Sequence, residues 1–147
     1  MTPLLNATIR QQVRDTLAGM KEPVQILFFG SQQNCPACGE TRQLVEEVSA
    51  LSDKLGLSVY DLIADSNAAE QYHVDKTPGL VIAAKDGETI TDYGIRLSGI
   101  PSGHEFTTLI QDILFVSGRD SGLSAATREF LKSLEKPVHL QVFVTPT

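Results

Sequence analysis

The run Val24-Gln25-Ile26-Leu27-Phe28-Phe29 is mostly apolar, breaks off at Gly30-Ser31-Gln32-Gln33-Asn34 and enters Cys35-Pro36-Ala37-Cys38. An apolar run of this length suits a strand covered on both faces. Beyond the cysteines, Leu44, Val48, Leu51 and Leu55 recur at helical spacing. A helix is therefore expected to about Leu55, with Gly56 in its C-terminal left-handed position. A strand running through a polar loop into an amphipathic helix is a βα unit, the building block of layered α/β folds.

Both cysteines of the chain lie at that junction. With Pro36 in the first turn, where its missing N–H costs nothing, Cys35 is expected at the N-cap. Its sulfur would then face unpaired amides and the positive end of the helix dipole, which favours thiolate. An ordinary thiol of pKa ~8.5 is about 3% ionised at pH 7. Lowering it to ~7 ionises about half, a shift worth roughly 2 kcal/mol. Cys38 falls on the same face one turn deeper. Cys35 is thus the candidate nucleophile and Cys38 the thiol that resolves a mixed disulfide. A plain structural pair is the competing reading; the strand before, the proline inside and the helix after favour redox use.

The 147 residues suit one ordinary domain. A net charge of -6 argues against nucleic acid and anionic membranes as partners. No apolar run is long enough to cross a bilayer, and Met1-Thr2-Pro3-Leu4-Leu5-Asn6 lacks the basic and apolar regions of a leader. A cytoplasmic location is the expectation, and there a disulfide is usually transient and catalytic. Two cysteines make neither a disulfide framework nor a Cys₄ zinc site.

In chain order, residues 3–20 read as a helix capped by Thr2, with Leu5, Ile9, Val13 and Leu17 as its stripe. The cysteine helix leads to a strand over 57–63, in which Asp61 interrupts an apolar row. A short helix or turn spans 65–73. Thr77-Pro78-Gly79 opens a strand over 80–84, Asp86-Gly87 makes a hairpin turn, and the returning strand covers 88–97 with Gly94 as a bulge. Ser102 and Glu105 read as a capping box for a helix that Gly118 ends. A polar linker over 118–122 precedes a helix from Ser124 to Pro137, and Val138–Val144 reads as a last strand.

That last portion repeats the first. Lys21-Glu22-Pro23-Val24 through Ser31 aligns without gaps onto Glu135-Lys136-Pro137-Val138 through Thr145, each after an amphipathic helix. Residues 1–122 are therefore expected to form one unit, and residues 123–147 the opening helix and strand of a second, truncated one. An apolar strand without neighbours tends to pair, so this one is expected either to pack on its own domain or to exchange with a second chain in a homodimer.

The CxxC loop, Thr77-Pro78, the stretch Gly94-Ile95-Arg96-Leu97-Ser98-Gly99-Ile100-Pro101-Ser102-Gly103-His104-Glu105-Phe106 and the tail Val142–Thr147 resemble the protein disulfide oxidoreductases built from two glutaredoxin-like, thioredoxin-fold units in tandem. The resemblance implies a mixed sheet flanked by helices, N-terminal helix first, with a redox-active dithiol and no other cofactor. It implies that Pro78 is cis and lies against the cysteines. The Thr77 backbone is then free to pair with an extended substrate. The implied partners are protein disulfides and a thiol or reductase electron donor. The N-terminal domain of alkyl hydroperoxide reductase flavoprotein subunits is another relative. It suggests the alternative of a docking or structural first unit, although that domain generally lacks the cysteines.

Departures from the family pattern leave roles open. The strand over 24–29 carries no acid, so the proton acceptor for Cys38 is unassigned among Asp61, Glu40 and water. Asn34 replaces the aromatic residue that precedes the motif in thioredoxins. His73, His104 and His139 lack zinc-site spacing with the cysteines, and no metal is expected. Arg42, Lys76 and Arg96 are candidate partners for glutathione carboxylates, with solvated surface as the alternative.

Overall fold

A computed structural model describes residues 2–145. The element order is α1 (Ala7–Leu17), β1 (Val24–Gly30), α2 (Cys38–Ser49), β2 (Leu55–Asp61), α3 (Ser66–Gln71), β3 (Gly79–Asp86), β4 (Thr89–Ser98), α4 (His104–Ser117) and α5 (Ala125–Lys132). The sheet runs β2-β1-β3-β4. β1 pairs parallel with β2 and antiparallel with β3, and β3 pairs antiparallel with β4. This is the thioredoxin-like α/β arrangement of a mixed sheet between helices. Among the described residues, no helix is long and apolar enough to cross a membrane.

Every residue of β1 is buried, as a continuous apolar strand between two covered faces requires. Alternation along the strand sends its side chains to two cores. Ile26 and Phe28 join Leu17, Val45, Val48, Leu109 and Ile113 beneath α1, α2 and α4. Leu27 and Phe29 join Val81, Ala83 and Ala69 on the α3 side. There Phe29 stacks on Tyr60 at 5.0 Å between ring centroids and meets Tyr72 at 6.4 Å, within the range where aromatic pairs add to burial.

Several boundaries differ from the sequence expectation. α1 begins at Ala7, capped by the Asn6 side chain on the Ile9 amide, rather than at Pro3. Residues 2–5 are drawn instead onto α2. Glu47 accepts from the amides of Leu4 and Leu5 at 2.9 and 3.0 Å, and Gln43 donates to the Thr2 carbonyl at 2.8 Å. α2 ends at Ser49, so Leu51 and Leu55 lie beyond it, and Gly56 sits inside β2 opposite Gln25. A side chain at Gly56 would strike the Gln25 amide, so packing between strands explains this glycine. β2 stops at Asp61, leaving Ile63 outside. The Ser102–Glu105 capping box does not form, because the cap position is Gly103 at φ 61, one residue past Ser102.

The strand expected over 138–144 is absent. α5 has no buried residue, and Val138, Leu140, Val142, Phe143 and Val144 are exposed. β1 is a strand because β2 and β3 flank it; the repeated segment has no such neighbours. Pro146 and Thr147, part of the expected second unit, lie outside the described residues. At the hairpin, Gly94 does mark a bulge. The β3–β4 register passes from Val81↔Arg96 to Ala83↔Asp92.

A buried hydroxyl ties the two ends of the unit together. Ser117, fully buried in α4, accepts from the amides of Lys21 and Glu22 at 2.8 and 3.1 Å and donates to the Glu22 carbonyl at 2.7 Å. Ser117→Ala is expected to lower stability by about 1–3 kcal/mol, the cost of stranding buried polar groups, measured by urea unfolding. Glu47 supplies a pH signature. Burial opposes its charge, but the amides of Leu5 and Leu4, with Gln43 and Arg10, outweigh it and hold the carboxyl below its usual value. A carboxyl lowered in the folded state stabilises fully above its unfolded pKa of about 4.3. That contribution is lost as pH falls through the folded value. Glu47→Gln should therefore lower the urea midpoint at pH 7, and the difference from wild type should vanish in a series taken down towards pH 2.

Candidate active site

The register Phe29↔Gly79 places the C-terminal end of β1 against the start of β3. The loop that leaves Gly30 toward the cysteines and the loop that delivers Pro78 therefore meet at one rim of the sheet. Cys35 and Cys38 are joined in a disulfide there, with Cα atoms 5.4 Å apart. Cys35 is half-buried, whereas Cys38 is 7% exposed and belongs to the main core. The Thr77–Pro78 peptide is cis. Pro78 is buried, its carbonyl accepts from the Gly99 amide at 2.9 Å, and Thr77 makes no backbone hydrogen bond to the described residues.

Cys35 is not the N-cap. α2 proper starts at Cys38 behind Ala37, and Cys35 accepts from the Cys38 amide at 3.2 Å through its own carbonyl, closing a tight turn. The turn still aims the helix N-terminus at the pair, but the amide that reaches sulfur comes from elsewhere. Ser31 N–H donates to Cys38 Sγ at 3.4 Å, and the Ser31 hydroxyl in turn braces Gln33, donating to its carbonyl and accepting from its amide. Gly30 makes room for this contact. A Cβ there would lie 2.8 Å from the Phe28 ring and 3.7 Å from Cys38 Sγ. Sequence reading passed over Gly30 and Ser31; their position directly after a buried strand and before the motif was the available signal.

A groove of about 260 Å³ lies beside the buried sulfur, lined in part by Ser31, Cys38, Arg42 and Asp61. Asp61 serves the turn after β2. The amides of Ala64 and Ile63, and that of Gln32, hold its carboxyl below the usual range. A carboxylate so satisfied is a poor proton acceptor. The candidate cations for a carboxylate ligand all have partners within the chain. Arg42 pairs with Glu46, Lys76 with Asp75 and Arg96 with Asp92. Among the described residues, no group of three His, Cys, Asp or Glu side chains is placed to hold a metal.

Against known proteins, the chain is 31% identical over 144 residues to the alkyl hydroperoxide reductase AhpF of Staphylococcus aureus, covering 98% of this chain and 25% of that protein. It superposes on a protein disulfide oxidoreductase from Aeropyrum pernix with a TM-score of 0.75 and 33% identity, over 88% of this chain and 55% of the other. Nearly the whole chain is thus similar to a part of each of these longer proteins. For the NTD_N/C domain of alkylhydroperoxide reductase AhpF from Enterococcus faecalis the TM-score is 0.77 at 25% identity, over 90% and 62%. No family model matches the chain. It spans a quarter of the length of the curated relatives it matches. With these solved structures it shares the thioredoxin-like fold, and it carries a CxxC disulfide at the rim.

Asn34, just before the disulfide, holds φ 53, a left-handed conformation that asparagine and glycine tolerate and branched residues resist. This is a local reason for asparagine at the position before the motif. Asn34→Gly should leave stability within a few tenths of a kcal/mol, whereas Asn34→Val should cost about 1–3 kcal/mol, read from urea unfolding of the oxidised protein.

Proposed function

We propose that the chain is a thiol–disulfide oxidoreductase that exchanges dithiol and disulfide with protein substrates. The observation that carries this is a half-buried Cys35 bonded to a buried Cys38, at the same rim of the sheet as a Thr77 whose backbone makes no hydrogen bond to the described residues. In the reducing direction, the Cys35 thiolate attacks a substrate sulfur. A Cys35–substrate disulfide forms and one substrate thiolate leaves. Cys38 then gives its proton to water, attacks Cys35 Sγ and expels the second substrate thiolate. The two electrons passed to the substrate leave the Cys35–Cys38 disulfide, which a thiol or a reductase must reduce again. In the oxidised form, attack on the accessible Cys35 sulfur makes Cys38 the leaving thiolate, and the Ser31 amide lies where that charge develops. Thr77 and Pro78 contribute the edge on which an extended substrate pairs. No cofactor beyond the disulfide enters this scheme, and a cytoplasmic setting suits a disulfide that cycles.

Cys35→Ser is expected to abolish insulin-disulfide reduction, and Cys38→Ser to accumulate mixed disulfides that run as adducts on non-reducing gels. Absorbance titration of reduced Cys35 should give a pKa below the ordinary ~8.5; a value at or above it, with no insulin reduction, overturns the reading.

The exposed apolar residues of α5 and the tail favour a second reading. On it, residues 1–122 are a docking or structural unit, residues 123–147 begin another unit, and the chemistry sits outside the first. Pairing of tails between two chains is the other way to cover them, and light scattering separates a dimer from a monomer. If Cys35→Ser leaves disulfide exchange intact in a protein that carries this chain together with a second unit, the docking reading holds.

A further inference from the structure

The loop from Tyr72 to Pro78 carries Thr77 to the rim, and its two ends are held by β4 and by the residue that follows it. α3 ends at Gln71 with Tyr72 as its C-cap, whose carbonyl is among those a helix terminus leaves without an intrahelical partner. His73 turns the chain at φ 51, and Val74 N–H closes on Ala69 at 2.9 Å. From β4, Arg96 donates to the Tyr72 carbonyl through Nε at 3.0 Å and Nη2 at 2.7 Å. Three residues on, the Gly99 amide holds Pro78. A cavity of about 130 Å³ separates part of the loop from β4 between these anchors.

The β4 bulge builds the clamp. Setting Asp92 opposite Ala83 and Arg96 opposite Val81 leaves residues 93–95 across from Ile82 alone, with Gly94 at φ 89. Asp92 and Arg96 then form a two-pronged pair, Nη1 to Oδ1 at 2.9 Å and Nη2 to Oδ2 at 2.6 Å, while Asp92 Oδ1 also accepts the Gly94 amide. The remaining Nη1 hydrogen goes to the Ile95 carbonyl at 3.0 Å. All five donors of the guanidinium are engaged, so none is left for a ligand. The Arg96 side chain is 27% exposed and Asp92 28%, which sets this pair apart from Arg42 and Lys76 on the open surface.

We propose that Arg96, oriented by Asp92 across the bulge, is a positioning residue that sets the height of the Thr77–Pro78 edge over the disulfide. It thereby governs binding of protein substrates rather than the reactivity of Cys35. The substrate part rests on the exchange reading above. Lysine is no substitute, because one ammonium does not span Tyr72 and Asp92 with a planar fork.

The test compares Arg96→Gln and Arg96→Lys with wild type in the full chain, using insulin and a small aromatic disulfide as substrates. Amide hydrogen exchange at Val74 and Gly99 is followed alongside. Arg96→Gln is expected to raise KM for insulin about tenfold, the scale of losing charge-assisted hydrogen bonds. It should change kcat and the small-disulfide rate less than about threefold, and speed exchange at Val74 and Gly99 about tenfold with β1 amides unchanged. Arg96→Lys should fall between. Unchanged KM and exchange overturn the proposal, as does an equal fall for both substrates with faster exchange throughout, the mark of general destabilisation. If Arg96→Gln does not fold, Arg96→Lys decides by the same criteria. If wild type reduces neither substrate, the exchange reading fails, and protection at Val74 and Gly99 still decides whether Arg96 anchors the loop.

Discussion

The pairing of β1 with β3 is the constraint on which the site depends. Antiparallel register sets Phe29 opposite Gly79, so the outgoing cysteine loop and the incoming proline loop are neighbours although about forty residues separate them in sequence. The register is strongly specified because β1 is buried on both faces. A slip by one residue would exchange Leu27 and Phe29 with Ile26 and Phe28, and two differently shaped cores would both be misfilled. Gly79 adds to the fit. A Cβ there would lie 2.8 Å from the Val74 methyl and from the Lys76 carbonyl, so the proline loop packs down only onto a glycine.

Around that frame, charged groups near the rim act on the backbone. Asp61 holds the turn after β2, Arg96 holds the end of α3, and Asp92 holds Arg96. None of these is offered to solvent as a free binding group. The sulfurs are left with peptide dipoles: the start of α2 behind them and the Ser31 amide on Cys38. Fixed dipoles of this kind cost no reorganisation when charge moves between the two sulfurs, which suits a pair whose charge alternates during exchange.

The errors of sequence reading share one cause. Local patterns proposed starts and stops that long-range contacts overrode. Pro3 is a sound first helical residue, but Glu47 takes the amides on which that helix would be built. Ser102 and Glu105 have capping-box spacing, yet Gly103 supplies a backbone angle that places the cap one residue later. Residues 138–144 have the composition of β1 and no strand beside them. Sequence alone offers Arg96 as a glutathione partner or a solvated charge, because the bulge that joins it to Asp92 is a property of two strands.

Alternation, turn residues and the single CxxC were enough to place the buried strand, the hairpin at Asp86-Gly87, the irregularity at Gly94 and the start of the last helix at Ser124, since each is written within a few consecutive residues. Tertiary structure decided which amide reaches the buried sulfur and that the strand after the proline loop lies beside the strand before the cysteines. It also decided that residues 138–144 form no strand with the other described residues. Burial and hydrogen bonding depend on what lies opposite, and a one-dimensional pattern does not contain its own neighbour.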